Sequence, residues 1–397
     1  MIALQTIAIF RDAYRELNAR KLFWLAMMLS GIVVLSFAMI GFEDGYLTVL
    51  IWKTPLPLER LGMTPEMFFK FVFMNFGIKF WLAWITTIIA IVTTAGMIPD
   101  FITGGAIDLA LSKPIGRVRL FLTKYAAALL FVALQVTVFS TLAFLVLGLR
   151  GKTWEPAVFL AIPLMIVFFS YLYCVSALVG LLTRSTIAAM IITLLFWFFL
   201  FLLNTTDSTL IMFKALNQES YERAEQRIEL FERQRDERAA ASGGGVRGAL
   251  ISAVADGYDQ GKIDRAIVQR DAAKDDLELF ERWHGHLITV KTVFPKTTET
   301  IDLLERALIE LVELEQFVDA INDSNSASRE RIVIDEDGAE TVAEFHGQFD
   351  EDADRISSQA RLEEYRARSI LWIVGSSLGF EAVVLALCCW IFAKRDY

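Results

Sequence analysis

Six long stretches of this chain carry almost no charge, and no other feature restricts its fold so strongly. They cover about 22–42, 71–98, 120–148, 157–182, 186–206 and 369–393. At 1.5 Å per residue each can cross a hydrocarbon core of about 30 Å, some with tilt. The expected fold is therefore an all-α polytopic membrane protein with six transmembrane helices. Hydrophobic residues make up 55% of the 397-residue chain, above the share in average soluble domains. The excess is concentrated in these runs. The first run begins at Leu22 and lacks a following small-residue cleavage pattern, so it reads as a span rather than a removable leader.

Charge divides the chain into three parts. Between Asp207 and Arg368 there are 36 Asp/Glu against 21 Lys/Arg, whereas the remainder has 11 against 17. An acidic, water-facing domain (207–368) thus interrupts a slightly basic membrane domain (1–206 and 369–397). Its helical stripes are Tyr221, Ala224, Ile228 and Phe231, then Ile301, Leu304, Leu308, Leu311, Leu314, Val318 and Ile321, then Val342, Phe345, Phe349, Ile356 and Ala360. Ser242-Gly243-Gly244-Gly245 reads as a break, and Asp335-Glu336-Asp337-Gly338 as a turn. All three cysteines, Cys174, Cys388 and Cys389, fall in apolar runs, so this domain must fold by burial without disulfides.

Orientation follows from the basic residues of the short connections. One side carries eleven, namely Arg11, Arg15, Arg20, Lys21, Lys113, Arg117, Arg119, Lys124, Arg184, Lys394 and Arg395. The other side carries five: Lys53, Arg60, Lys70, Arg150 and Lys152. The expected topology has both termini in the cytoplasm and 207–368 outside, in a cell inner membrane. Ahead of the first span, Ala3, Ile7, Phe10, Tyr14 and Leu17 recur at steps of three and four among charges. That pattern predicts an amphipathic helix over 3–20, lying in the headgroup plane in contact with membrane lipids.

The connection between the second and third spans, residues 99–125, is the most informative. Pro99 and the N-capping Asp100 open it, Gly104-Gly105 form a small-residue turn, and a short apolar helix follows through Ala106, Leu109 and Leu111. Ser112-Lys113-Pro114 ends that helix, with Arg117 and Lys124 at the membrane edge. A short helix held crosswise between two spans can receive a push from another protein. With the leading amphipathic helix and the six-span plan, these residues resemble the permease subunits of type-2 ABC exporters. Within them, the branch associated with multicopper-enzyme maturation is the more similar. The resemblance covers 1–206 and 369–397. It implies a second permease copy or paralogue and a cytoplasmic ATPase, which would bind ATP and Mg and dock on the segment around residues 100–117. The 162-residue insertion departs from the common pattern and suggests an extracytoplasmic protein partner. A nucleic-acid partner is not expected. The alternative is a non-transporting scaffold or signal transducer whose helical ectodomain binds an envelope partner.

No catalytic site, cofactor or metal is expected within the chain itself. Gly151-Lys152-Thr153 matches the end of a phosphate-binding loop, but Val146 stands where the first glycine is required. His284-Gly285-His286 lacks the four-ligand spacing of a structural metal site. Two intramembrane charges stand out, Lys79 in the second span and Glu381 in the last. Charges at such depth face protein, water or an opposite charge. They read equally as a substrate-path or gating pair and as a packing ion pair.

Overall fold

The computed structural model describes residues 15, 21–43, 46–49, 52–57, 65–103, 116–152, 154–241, 246–308, 331–334, 340–343, 356, 359–360 and 363–395. Among the described residues, five helices are long and apolar enough to cross a membrane: Glu66–Thr103, Arg117–Arg150, Pro156–Thr183, Thr186–Arg238 and Leu371–Lys394. They coincide with the second to sixth apolar runs, and the chain is a helical membrane protein. The first run forms a shorter helix, α1 (Lys21–Ala38). Of the interfacial helix expected over 3–20, only Arg15 is described, and it is helical.

Among the described residues, two small antiparallel sheets add to the helical plan. Strands β1 (Ile40–Glu43), β2 (Tyr46–Val49) and β3 (Trp52–Pro57) follow α1, with Glu43 opposite Tyr46. Further on, β4 (Arg331–Ile334) pairs with β5 (Glu340–Ala343), and the stretch Asp335-Glu336-Asp337-Gly338, expected as a turn, lies outside the described residues. Val342, expected on a helix, is therefore on a strand. The β-branched run Arg-Ile-Val-Ile favours a pleated partner over helix extension, because χ1 freedom is lost against a helical turn. Leu311, Leu314, Val318, Ile321, Phe345 and Phe349 lie outside the described residues, whereas Ile356 and Ala360 are helical.

The remaining elements are best taken by unit, since the chain divides into two compact ones. The first holds Met1–Asn204, Lys291–Ser328 and Arg368–Tyr397. Its second span comprises α2 (Pro65–Val72), a π-helical stretch Phe73–Thr86, α3 (Thr87–Thr94) and α4 (Met97–Thr103). There follow α5 (Arg117–Arg150), a 3₁₀ turn Pro156–Leu160 and α6 (Ala161–Thr183). Aromatic side chains fill the interior: Phe73 stacks on Phe139 at 6.2 Å, and Phe169 on Tyr173 at 5.8 Å. A polar spine crosses it, where Trp81 Nε1 donates to Ser30 Oγ at 3.0 Å and Gln135 Nε2 to the same oxygen at 3.2 Å.

The fifth span does not stop where its apolar run ends at Thr206. It continues as α7 (Thr186–Ala241), 56 residues without a glycine or proline. After the expected break, α8 (Val246–Val293) returns beside it. The second unit, Thr205–Val290 with Arg329–Ala367, is built on this antiparallel pair. Its thin core contains the expected Ala224 and Ile228 against Ile263 and Ala266, with Phe231 packed alongside. Phe213 stacks on Phe280 at 5.3 Å, and Arg238 meets Asp259 at 2.5 Å.

Ile228→Ala should remove side-chain volume that this core cannot refill, at the low end of such truncations, about 2 kcal/mol. Hydrogen exchange on the full chain is expected to speed up about thirtyfold for amides over 221–231 and 259–270, since each 1.4 kcal/mol is a factor of ten. Unchanged exchange there would mean that the pair is held by other contacts.

Candidate functional site

The edge of the first unit that carries Asp100 and Arg117 is built by close approach of backbones. A Cβ at Gly180 would lie 2.9 Å from the Pro99 ring, and one at Gly96 only 2.6 Å from Asp100 Oδ2. These two glycines let α4 press into α6 and set the position of the Asp100 carboxylate. Thr186 Oγ1, at the start of α7, donates to Asp100 Oδ1 at 3.0 Å. Seventeen residues on, Arg117 Nη1 donates to the carbonyl of Arg395 at 2.8 Å and faces that of Ala393 at 3.3 Å. Arg395 in turn donates to the carbonyl of Leu181 at 2.5 Å. The Lys124 ammonium stands over the Phe101 ring, 5.2 Å from its centre. The stem and the exit of the connecting segment are thus tied into one collar of span ends. Gly104, Gly105, Ala106, Leu109, Leu111, Ser112, Lys113 and Pro114, which lie between, fall outside the described residues.

The two intramembrane charges do not meet. Glu381, on α10 (Ser376–Lys394), lies 2.8 Å from the Tyr125 hydroxyl of α5 and 2.7 Å from Ser170 Oγ of α6. One carboxyl thereby joins three spans.

Lys79 sits in the π-helical stretch of the second span, and π-helical turns are frequent where a side chain has been re-aimed for function. Its partners come from α9 (Thr297–Leu308), a helix of the inserted segment. Lys79 Nζ is 2.5 Å from Glu305 Oε2 and 3.5 Å from Asp302 Oδ1. Ile301, Leu304 and Leu308 of α9 are buried, as their spacing predicts, but they are buried against the spans and the 3₁₀ turn of the first unit. Next to them Glu299 pairs with Lys291 and, at 3.0 Å, with Arg368. The Lys296 ammonium is held by neutral groups: Ser376 Oγ at 2.6 Å, the carbonyls of Thr292 and Phe294 at 3.3 Å, and the Trp372 ring. Burial pushes Lys296 down to about 8.

Sequence reasoning had no role for this ion cluster. A signal was present, since Glu299, Asp302 and Glu305 recur at every third residue beside an apolar stripe. Such a row reads as a solvated face until a buried cation elsewhere demands partners.

His284 Nε2 lies 3.1 Å from the buried Asp207 Oδ1, a paired side chain at the foot of α8. Among the described residues there is no group of three or more side chains suited to a metal ion. Comparison with family models, with curated proteins and with solved structures finds no match for this chain.

Two outcomes test the cluster. Burial, then Glu305 and Glu299, push the Asp302 carboxyl up to about 6, while Lys79 opposes them. The folded protein then holds a proton that an unfolded Asp releases near 4, so this contribution is full below about 4 and lost as pH rises through 6. Asp302→Asn should therefore melt at an increasingly higher temperature than wild type as pH rises from 5 to 7, with Lys79, Glu305 and Glu299 still around that site. A constant difference across that range would remove the titration from Asp302. For Glu381→Ala, the Tyr125 and Ser170 hydroxyls lose their shared partner at a cost of about 1–3 kcal/mol. Thermal unfolding in detergent should fall for Glu381→Ala and recover most of the way for Glu381→Gln.

Proposed function

We propose that this chain is the membrane-spanning subunit of an ATP-driven exporter, worked by a separate cytoplasmic ATPase that docks on the segment between Asp100 and Arg117. In this reading α1 is the first of six spans, both termini are cytoplasmic, the inserted segment is extracytoplasmic, and a second permease completes the complex. ATP and Mg belong to the partner. The observation that supports it best is the collar. The segment is held at its two ends by Asp100–Thr186 and Arg117–Arg395, so force applied to it passes directly into four span ends rather than into slack chain.

The uninterrupted helix from Thr186 to Ala241 supports a particular form of this reading, in which the ATPase performs mechanical work on an extracytoplasmic protein. A passive scaffold is the alternative, and it has no need of a collar at the opposite face.

Leu109→Asp or Ala106→Asp would place a charge among the apolar residues of the docking segment. The variants should insert normally and lose co-purification of an ATPase encoded beside this chain, with ATPase stimulation falling at least tenfold. Undiminished co-purification would overturn the assignment of this segment. Labelling by a membrane-impermeant thiol reagent in intact cells checks the orientation: Gln269→Cys should react and Ser185→Cys should not.

A further inference from the structure

The foot of α8 combines three properties that the transport reading does not use. The first is depth. The charge-free part of α7 ends at Thr206, and Asp207 is the first charge beyond it. Within the second unit, His284 on Asp207 sets that level on α8. Within the first unit, Lys291 Nζ donates to Asn204 Oδ1 at 3.0 Å, and the Phe294 ring lies 5.3 Å from Phe199 and 6.3 Å from Phe196. From Lys291 onward, the chain therefore runs beside the apolar part of α7.

The second property is an open apolar face. Trp283, Val290 and Val293 are 60%, 45% and 63% exposed. At about 100° per residue they fall within roughly 80° of one another on the helix wheel, turned away from Lys291 and His284, which contact α7. Third, the segment from Arg282 to Thr298 contains no Asp or Glu, although the inserted segment around it holds 36.

We propose that residues 282–293 dock on a lipid surface, the membrane leaflet on the side of the inserted segment. Trp283 lies in the headgroup layer and Val290 and Val293 in the acyl layer. Tryptophan favours the interface because its ring is apolar and its N–H is wet. Arg282 stands beside it, at the level where lipid phosphates accept hydrogen bonds. The missing carboxylates follow, since an anionic group here would meet either hydrocarbon or phosphate. A leaflet is the one partner necessarily present at this depth, because the neighbouring helix is itself a span. On this assignment the inserted segment does not leave the membrane cleanly at Asp207: its far end re-enters the leaflet before α9 begins.

The test uses the full chain in proteoliposomes, with Cys174, Cys388 and Cys389 replaced by alanine. Single cysteines are introduced as Val293→Cys and Gln269→Cys, both exposed positions, and each is labelled with a small environment-sensitive fluorophore. Quenching is measured with acyl-brominated phospholipid and with aqueous iodide. The ratio of lipid to iodide quenching should be at least fivefold higher at 293 than at 269. A ratio at 293 no greater than that at 269 would overturn the proposal. So would a label at 293 reached by neither quencher, the result if a protein covers this face. The readout needs no ATPase, so it stands or falls apart from the transport function.

Discussion

Hydrocarbon offers a charged side chain no water, and the described part of this protein is arranged around that fact. An ammonium in a span must find protein partners or remain hydrated at considerable cost. Lys79 finds Asp302 and Glu305, and by doing so it brings a piece of the inserted segment down onto the spans. Once α9 is there, its own Glu299 needs cations, which Lys291 and Arg368 supply from the two chain segments that lead in and out. Each charge thus recruits the next, and the cluster fixes where three separate stretches of sequence meet. Breaking a pair of this kind leaves its partner buried and unmatched, which costs far more than the pair itself contributes.

Glu381 solves the same problem without a cation. Two hydroxyls from neighbouring spans lie within hydrogen-bonding reach of its two oxygens, so the last span is located by directional contacts as well as by packing. At the opposite edge, directional contacts again do the locating. Pro99 enters a notch at Gly180, Thr186 bonds Asp100, and Arg117 and Arg395 bond backbone carbonyls. The spans are thus fastened at both ends by polar groups and filled between them by aromatic rings.

Much of this was legible in the residues. Apolar runs gave five long membrane helices, because length and lack of charge are sufficient to define one. The stripe Ala224–Ile228 and the glycine break gave the long pair α7 and α8, because a period of 3.6 marks a buried face. What periodicity could not say is which core a face is buried in. The stripe Ile301, Leu304 and Leu308 lies in the acidic segment and so reads as water-side packing, whereas it packs on the spans. The depth of Lys79 demands a partner, but in the sequence the other intramembrane charge, Glu381, is the obvious candidate while the acids of α9 read as solvated. The strands were missed for a local reason: four-residue runs such as Arg331–Ile334 are too short for any period to emerge.

The helix α7 has one more consequence, which concerns stiffness. Glycine and proline are where helices bend most readily, and Thr186 to Ala241 has neither. From Asp207 onward it extends about 50 Å at 1.5 Å per residue. A rod of that length magnifies small rotations, each degree of tilt at its membrane end moving the far end by roughly 0.9 Å. Ten degrees, a modest change for a packed span, would sweep the tip through about 9 Å. The length and unbroken sequence of this one helix therefore set a gear ratio: small angles at one end become displacements of several ångströms at the other.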